Sequence, residues 1–228
     1  LTLIISSYEM GLLRTVFNVD ESLIHYFPFI VNSKKMIDRV KARPTFENRK
    51  GFMCIGNFKH APNWDSVQYL KQSIWPLIRQ QIPNAEMYVY GAYITPKAQQ
   101  LNKPDEGFYI KGRAEDVNDV MQAARVCLAP LRFGAGLKGK LLDAMECGTP
   151  SVTSSVGAEA MHADLPWGGI VADETETFAK AAVELHENED RWVKSQVYGD
   201  EILEQCYSPE NFEPTLMARI IDIKRQLT

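Results

Sequence analysis

The sequence predicts an α/β fold: a doubly wound, Rossmann-like parallel sheet with helices on both faces. Three observations predict it. Short apolar runs recur along the chain and most end in glycine, as at Gly56, Gly91 and Gly112. Stretches with apolar residues at helical spacing separate these runs, and no hairpin turn joins one run to the next. Right-handed crossovers between parallel strands then set the loops at Gly56, Gly91, Gly112, Gly134 to Gly136 and Gly157 along one edge, lining one crevice.

The chain opens on Leu1 to Ser7, which reads as a strand running into a helix over Tyr8 to Phe17, with Glu9 in the first turn suited to the helix dipole. Its entry without methionine suggests the interior of a longer protein. Ser22 to Val31, apolar and broken by Pro28, reads as an extended connector. Val31 to Lys50 reads as a linker whose positive charge is solvated, since aromatic residues are not interleaved with it. Regular alternation begins at Gly51. Gly51 to Gly56 is a strand, and Asn63 is placed to cap a helix reaching Gln81, with Val67, Leu70, Ile74, Leu77 and Ile78 on its buried face. Pro76 implies a kink there, or two shorter helices. Ala85 to Tyr90 is the next strand, Thr95 to Leu101 a helix, Gly107 to Lys111 a strand and Asp116 to Ala124 a helix. Beyond the strand at Val126, the pattern gives a helix at Lys140 to Cys147 and strands at Pro150 to Thr153 and Gly169 to Val171. Helices follow at Glu174 to His186, Glu189 to Gln205 and Pro209 to Leu227.

With 228 residues, 45% hydrophobic and 24% charged, the chain has room for one large domain or a domain with an appendage. A net charge of −4 gives no global pull towards nucleic acid or anionic membranes. No uninterrupted apolar run is long enough to span a bilayer, and no basic start precedes an apolar leader. Cys54, Cys127, Cys147 and Cys206 lie far apart without a CxxC pair, and the first two fall in expected buried strands. Reduced thiols in a cytoplasmic protein are therefore expected rather than disulfides or zinc. The four histidines show no metal-ligand spacing, and no Ser-His-Asp or Cys-His arrangement can be assembled.

The stretch richest in chemistry is Pro130 to Met161. An apolar strand ends in a loop with Gly134, Gly136 and Gly139, and a helix starts at once. Glycines let a ligand approach the backbone, and free N–H groups at a helix start attract anions. Arg132, Lys138 and Lys140 add cations, and Lys140 and Asp143, three apart, share one helix face. An ordinary strand-to-helix turn with a surface ion pair would look the same, because the glycines match neither the P-loop nor the strict dinucleotide pattern. The tryptophans read as packing residues, with Trp167, in a loop, the exception.

From Gly51 to Trp192 the sequence resembles the carboxy-terminal, nucleotide-sugar-binding domain of GT-B glycosyltransferases of the group 1 (family 4) retaining class. The resemblance rests on Gly56-Asn57-Phe58 with Pro62-Asn63, Ile82-Pro83-Asn84-Ala85-Glu86, Tyr90-Gly91 and Lys111-Gly112 followed by Asp116. Its strongest part is Leu141 to Val152, LLDAMECGTPSV. Ser6 to Glu9 and Phe27 to Ile30 are similar to the family's end of the first domain and its crossing linker. The resemblance implies a hexosyltransferase that takes its sugar from a nucleotide diphosphate, without bound metal or other cofactor. Residues 1–50 would then be the remnant of an N-terminal acceptor domain plus linker, and 51–228 the donor domain with the terminal helices.

Donor-binding residues implied are Gly56, Asn57, Arg113, Gly134, Gly136, Leu137, Lys138, Lys140 and Asp143. Asp143 would meet the ribose hydroxyls and Lys140 the diphosphate. The main base and the acceptor-binding residues would lie in the missing half, which would also carry any peripheral membrane association; nucleic acid is not an expected partner. Two departures stand out. The family's earlier carboxylate falls on Ala135, and its basic pair after the first strand is absent from Asn57 to Asn63. A non-catalytic nucleotide-sugar-binding module and a sugar-nucleotide epimerase of the same architecture are the alternatives.

Overall fold

A computed structural model describes residues 1–31 and 40–227. At the amino end β1 (Thr2–Ile4), α1 (Ser7–Thr15) and β2 (Ile24–Tyr26) form a small unit in which β1 and β2 pair in parallel. The main sheet comprises β3 (Phe52–Ile55), β4 (Met87–Tyr90), β5 (Phe108–Gly112), β6 (Val126–Ala129), β7 (Ser151–Thr153) and β8 (Gly169–Val171). Its connections carry α2 (Ala61–Tyr69), α3 (Trp75–Gln81), α4 (Pro96–Gln100), α5 (Val117–Ala123), α6 (Gly139–Glu146), α7 (Ser155–Ala158) and α8 (Thr175–Glu187). Two long helices close the chain, α9 (Glu189–Tyr207) and α10 (Pro209–Leu227).

Every pairing in the main sheet is parallel, and the strand order is β5-β4-β3-β6-β7-β8. The chain enters at β3, winds outward to β5, returns to β6 beside β3 and winds the other way. This is the doubly wound topology expected from the sequence. Its direction reverses between β3 and β6, so the loops leaving their carboxyl ends diverge and open a crevice. Because side chains alternate along a strand, both faces are buried. Phe52, Cys54, Val126 and Leu128 pack on one side against Val67, Ile78 and Phe178 of α2, α3 and α8. Met53, Cys127 and Ala129 face the other way, onto Met121 of α5, Leu141 and Ala144 of α6 and Leu203 of α9.

The structure corrects several expectations. The helix after β3 starts at Ala61, with His60 at the cap position, so Asn63 lies inside its first turn rather than capping it. The run to Gln81 is two α segments joined by a π-type turn at Leu70–Ile74, and Pro76 falls in the first turn of α3, where a missing N–H is harmless. Ser22 to Val31 is not wholly a connector: Ile24 to Tyr26 becomes a strand because Thr2 to Ile4 offers it an edge. Part of the expected linker, 32–39, lies outside the described residues. Its remainder is not merely solvated charge, since Arg49 is 0% exposed and the Arg43 side chain 5%. Trp167 is buried, its Nε1 donating to Ser151 Oγ at 3.1 Å. Helix α10 returns to the amino-terminal unit: Arg219 donates to Ser22 O at 2.7 Å, and Phe212 meets Tyr26 edge-on with centroids 5.7 Å apart.

The two buried arginines grip α6 by its carboxyl end. Arg43 Nη2 donates to the carbonyls of Met145 and Glu146 at 3.0 and 2.9 Å, while Nη1 pairs with Asp200 at 2.9 Å. Arg49 Nη2 donates to Cys147 O at 2.7 Å and its Nη1 to Thr149 Oγ1 at 2.7 Å. Cations at a helix carboxyl end satisfy orphan carbonyls and oppose the helix dipole. The far end of α6, pointing to the crevice, is held in place from behind.

Candidate functional site

The amino end of α6 is open. Lys138 occupies the cap position without its side chain bonding any N–H of the first turn, and a Cβ added at Gly139 would meet nothing within 4 Å. The loop before it turns through Gly134 (φ 134°) and Gly136 (φ 73°), a backbone region that favours glycine. Leu137 tucks against the cluster containing Leu141 and Met145.

Lys140 stands where β3 and β6 diverge. Its Nζ donates to Asn63 Oδ1 at 2.6 Å, and Asn63 Nδ2 donates to Asn57 O at 3.2 Å. Asn63 thus ties the loop after β3 to the lysine on α6, across the crevice. Gly56 makes room for it: a Cβ there would lie 2.6 Å from Asn63 Cγ. Burial raises the thiol pKa of Cys54, and that of Cys127 to about 12, while the Lys140 charge opposes both shifts from above the strand ends. Asp143, one turn on, is reached by solvent, yet the protein crowded around it raises its carboxyl pKa above the ordinary value.

The other expected donor residues divide. Gly56, Gly134 and Gly136 meet at this mouth. Lys138 turns back, its Nζ bonded to the carbonyls of Gly134 and Gly136, so it braces the glycine loop; burial lowers its pKa, opposed by Glu159 and Glu9. Asn57 spends its side chain on a local turn, Oδ1 accepting from Lys59 N–H at 2.8 Å. Arg113 is exposed just beyond β5. Arg132 is committed elsewhere: it forks onto Asp65, with Nε to Oδ2 at 2.9 Å, and lies over the Tyr69 ring. Asn63 was missed as a site residue, because its partner is 77 positions away and its sequence context suggests a cap.

Among the described residues no group of three or more His, Cys, Asp or Glu is arranged to hold a metal ion. No described helix is long and apolar enough to cross a membrane. A cavity of about 590 Å³ lies elsewhere, between β2 and α10, and is lined by Arg14, Glu21, His25 and Arg219. Open amides, one lysine and one carboxylate converge instead at the switch point.

The family described as "Glycosyl transferases group 1" matches residues 49–188. The chain belongs to the group 1 glycosyltransferases. No curated protein matches it. Solved structures share the fold at low identity. A mutant of S. aureus TarM, in complex with Fondaparinux, alpha-GlcNAc-glycerol and UDP, superposes with a TM-score of 0.73 at 12% identity, over 96% of this chain and 43% of that one. The pneumococcal O-GlcNAc transferase GtfA, in complex with UDP and GlcNAc, gives 0.71 at 15% identity, over 95% and 44%. Anabaena Alr3699/HepE, in complex with UDP and glucose, gives 0.65 at 12% identity, over 100% and 62%. This group 1 glycosyltransferase chain therefore has the Rossmann-like architecture of a GT-B domain, and spans roughly half the length of these structural relatives.

Proposed function

We propose that this chain is the donor-binding part of a retaining glycosyltransferase that moves a hexose from a nucleotide diphosphate to an acceptor, without bound metal or other cofactor. The observation that carries the reading is the uncapped amino end of α6 at the β3–β6 switch point, with Lys140 poised beside it and Asp143 one turn on. The pyrophosphate rests against the first amides of α6 and the Lys140 ammonium, and the Asp143 carboxylate accepts from the ribose hydroxyls. As the bond to the leaving nucleotide breaks, negative charge grows on the β-phosphate, and fixed donors there lower the barrier. The acceptor and its base belong to an acceptor half outside this chain, of which residues 1–50 are the trailing part. That half would also make any membrane contact, and the cytoplasm, where nucleotide sugars are made, is the place of action.

Titration calorimetry of the chain against UDP, GDP and ADP tests this. One of the three is expected to bind, and Asp143→Asn to weaken that binding roughly 10- to 100-fold, the worth of hydrogen bonds to a charged acceptor. No binding at millimolar nucleotide, or binding unchanged in Asp143→Asn, overturns it. The same variant has an opposite effect on stability. A carboxyl whose folded-state pKa is raised favours the protonated folded form, so the ionised group costs stability at neutral pH, a cost relieved as pH falls through the raised value. Asp143→Asn is therefore expected to raise the unfolding midpoint at pH 7 while impairing binding.

A further inference from the structure

The glycine loop carries no polar side chain from Phe133 to Leu137, yet a carboxylate reaches it from another element. Glu9, in the first turn of α1, sends Oε1 to within 3.7 Å of the Cβ position of Gly136. Its backbone is fixed, since Ser6 Oγ caps α1 by accepting from Glu9 N–H at 3.3 Å, and Ser6 itself is buried. Among the described residues the Glu9 carboxylate has neither a hydrogen bond nor an ion pair, and its side chain is half-buried. Lys138, whose ammonium feels the charges of Glu159 and Glu9, is bonded to the loop carbonyls instead.

An unpaired carboxylate is misplaced for phosphate, which it would repel. It suits a neutral group rich in hydroxyl donors sitting just beyond the phosphates, because each carboxylate oxygen accepts and none donates. We propose that Glu9 is a donor-sugar residue: its carboxylate accepts hydrogen bonds from the hydroxyls of the sugar attached to the nucleotide, from across the glycine loop. The proposal rests on the donor-site reading above and deepens it. It also makes the amino-terminal unit part of the donor site, because α1 supplies an acceptor that the loop lacks.

The test separates the sugar from the nucleotide. Calorimetry on the whole chain compares UDP with UDP-glucose and UDP-N-acetylglucosamine, GDP with GDP-mannose, and ADP with ADP-glucose, in the wild type, Glu9→Gln and Glu9→Ala. The wild type is expected to bind one nucleotide sugar more tightly than its nucleotide. Glu9→Gln and Glu9→Ala are expected to reduce that ratio roughly tenfold, the worth of a charge-assisted hydrogen bond, with nucleotide affinity unchanged. If no free nucleotide binds the wild type, the donor-site reading itself fails. If a nucleotide binds but no sugar conjugate binds more tightly, the Glu9 role is overturned. An unchanged ratio in both variants overturns it too, as does an equal loss of nucleotide and nucleotide sugar, the mark of a merely structural role.

Discussion

Arg49→Ala is expected to lower the free energy of unfolding by about 3–5 kcal/mol, from the cavity a large buried side chain leaves and the buried acceptors that lose their donor. Arg49 is fully buried and, among the described residues, faces no carboxylate. It donates instead to five oxygens: the carbonyls of Pro44, Met121, Ala124 and Cys147 and the hydroxyl of Thr149. Met121 and Ala124 end α5 and Cys147 ends α6, so the guanidinium takes up the negative ends of two helices at once. Burial lowers its pKa to about 10, so it remains charged at neutral pH. Alanine would leave a cavity beside Trp192 and take their donor from the buried carbonyls of Ala124 and Cys147. Arg49→Lys is expected to recover little, because one ammonium cannot reproduce the fork. Urea denaturation followed by tryptophan fluorescence checks this; a loss below about 1 kcal/mol, with unchanged slope, would refute it.

Arg49 also shows where a sequence stops being legible. The sheet was readable because each strand announces itself locally, as an apolar run closed by a loop glycine, and parallel winding follows from strands alternating with helices. Lys140 and Asp143 were readable for a similar reason, since three residues of helix suffice to place them on one face. An arginine satisfied by backbone carbonyls leaves no such trace. Its partners are generic groups brought together by the fold, so charge in a polar stretch reads as surface. The bond between Lys140 and Asn63 joins the first turns of two helices, across 77 positions of sequence. Lys138 and Arg132, equally basic in sequence, differ only in what lies beside them: two loop carbonyls for one, Asp65 for the other. Even β2 exists only because the first residues of the chain come to lie alongside it.

On the proposed donor-site reading, Lys140→Ala is expected to cost the enzyme roughly 10²–10³-fold in transfer rate, the usual loss when one preorganised donor to a developing anion is removed. Of the three cations that the sequence places near the loop, Arg132 is held by Asp65 and Lys138 by the loop carbonyls, which leaves Lys140 at the crevice. An ammonium has three donors. Asn63 takes one, at 2.6 Å, and its amide is in turn held by the loop after β3. Two donors remain for phosphate oxygens, and the third bond fixes where they point. Asn63→Ala should therefore weaken transfer by less than Lys140→Ala does, because the charge stays while its aim is lost. The double variant should be no worse than Lys140→Ala alone, since an aiming residue has nothing left to aim. Steady-state rates of the four proteins decide it: independent, additive losses would mean that Asn63 acts on the ligand directly, and a Lys140→Ala enzyme at wild-type rate would place the phosphate elsewhere.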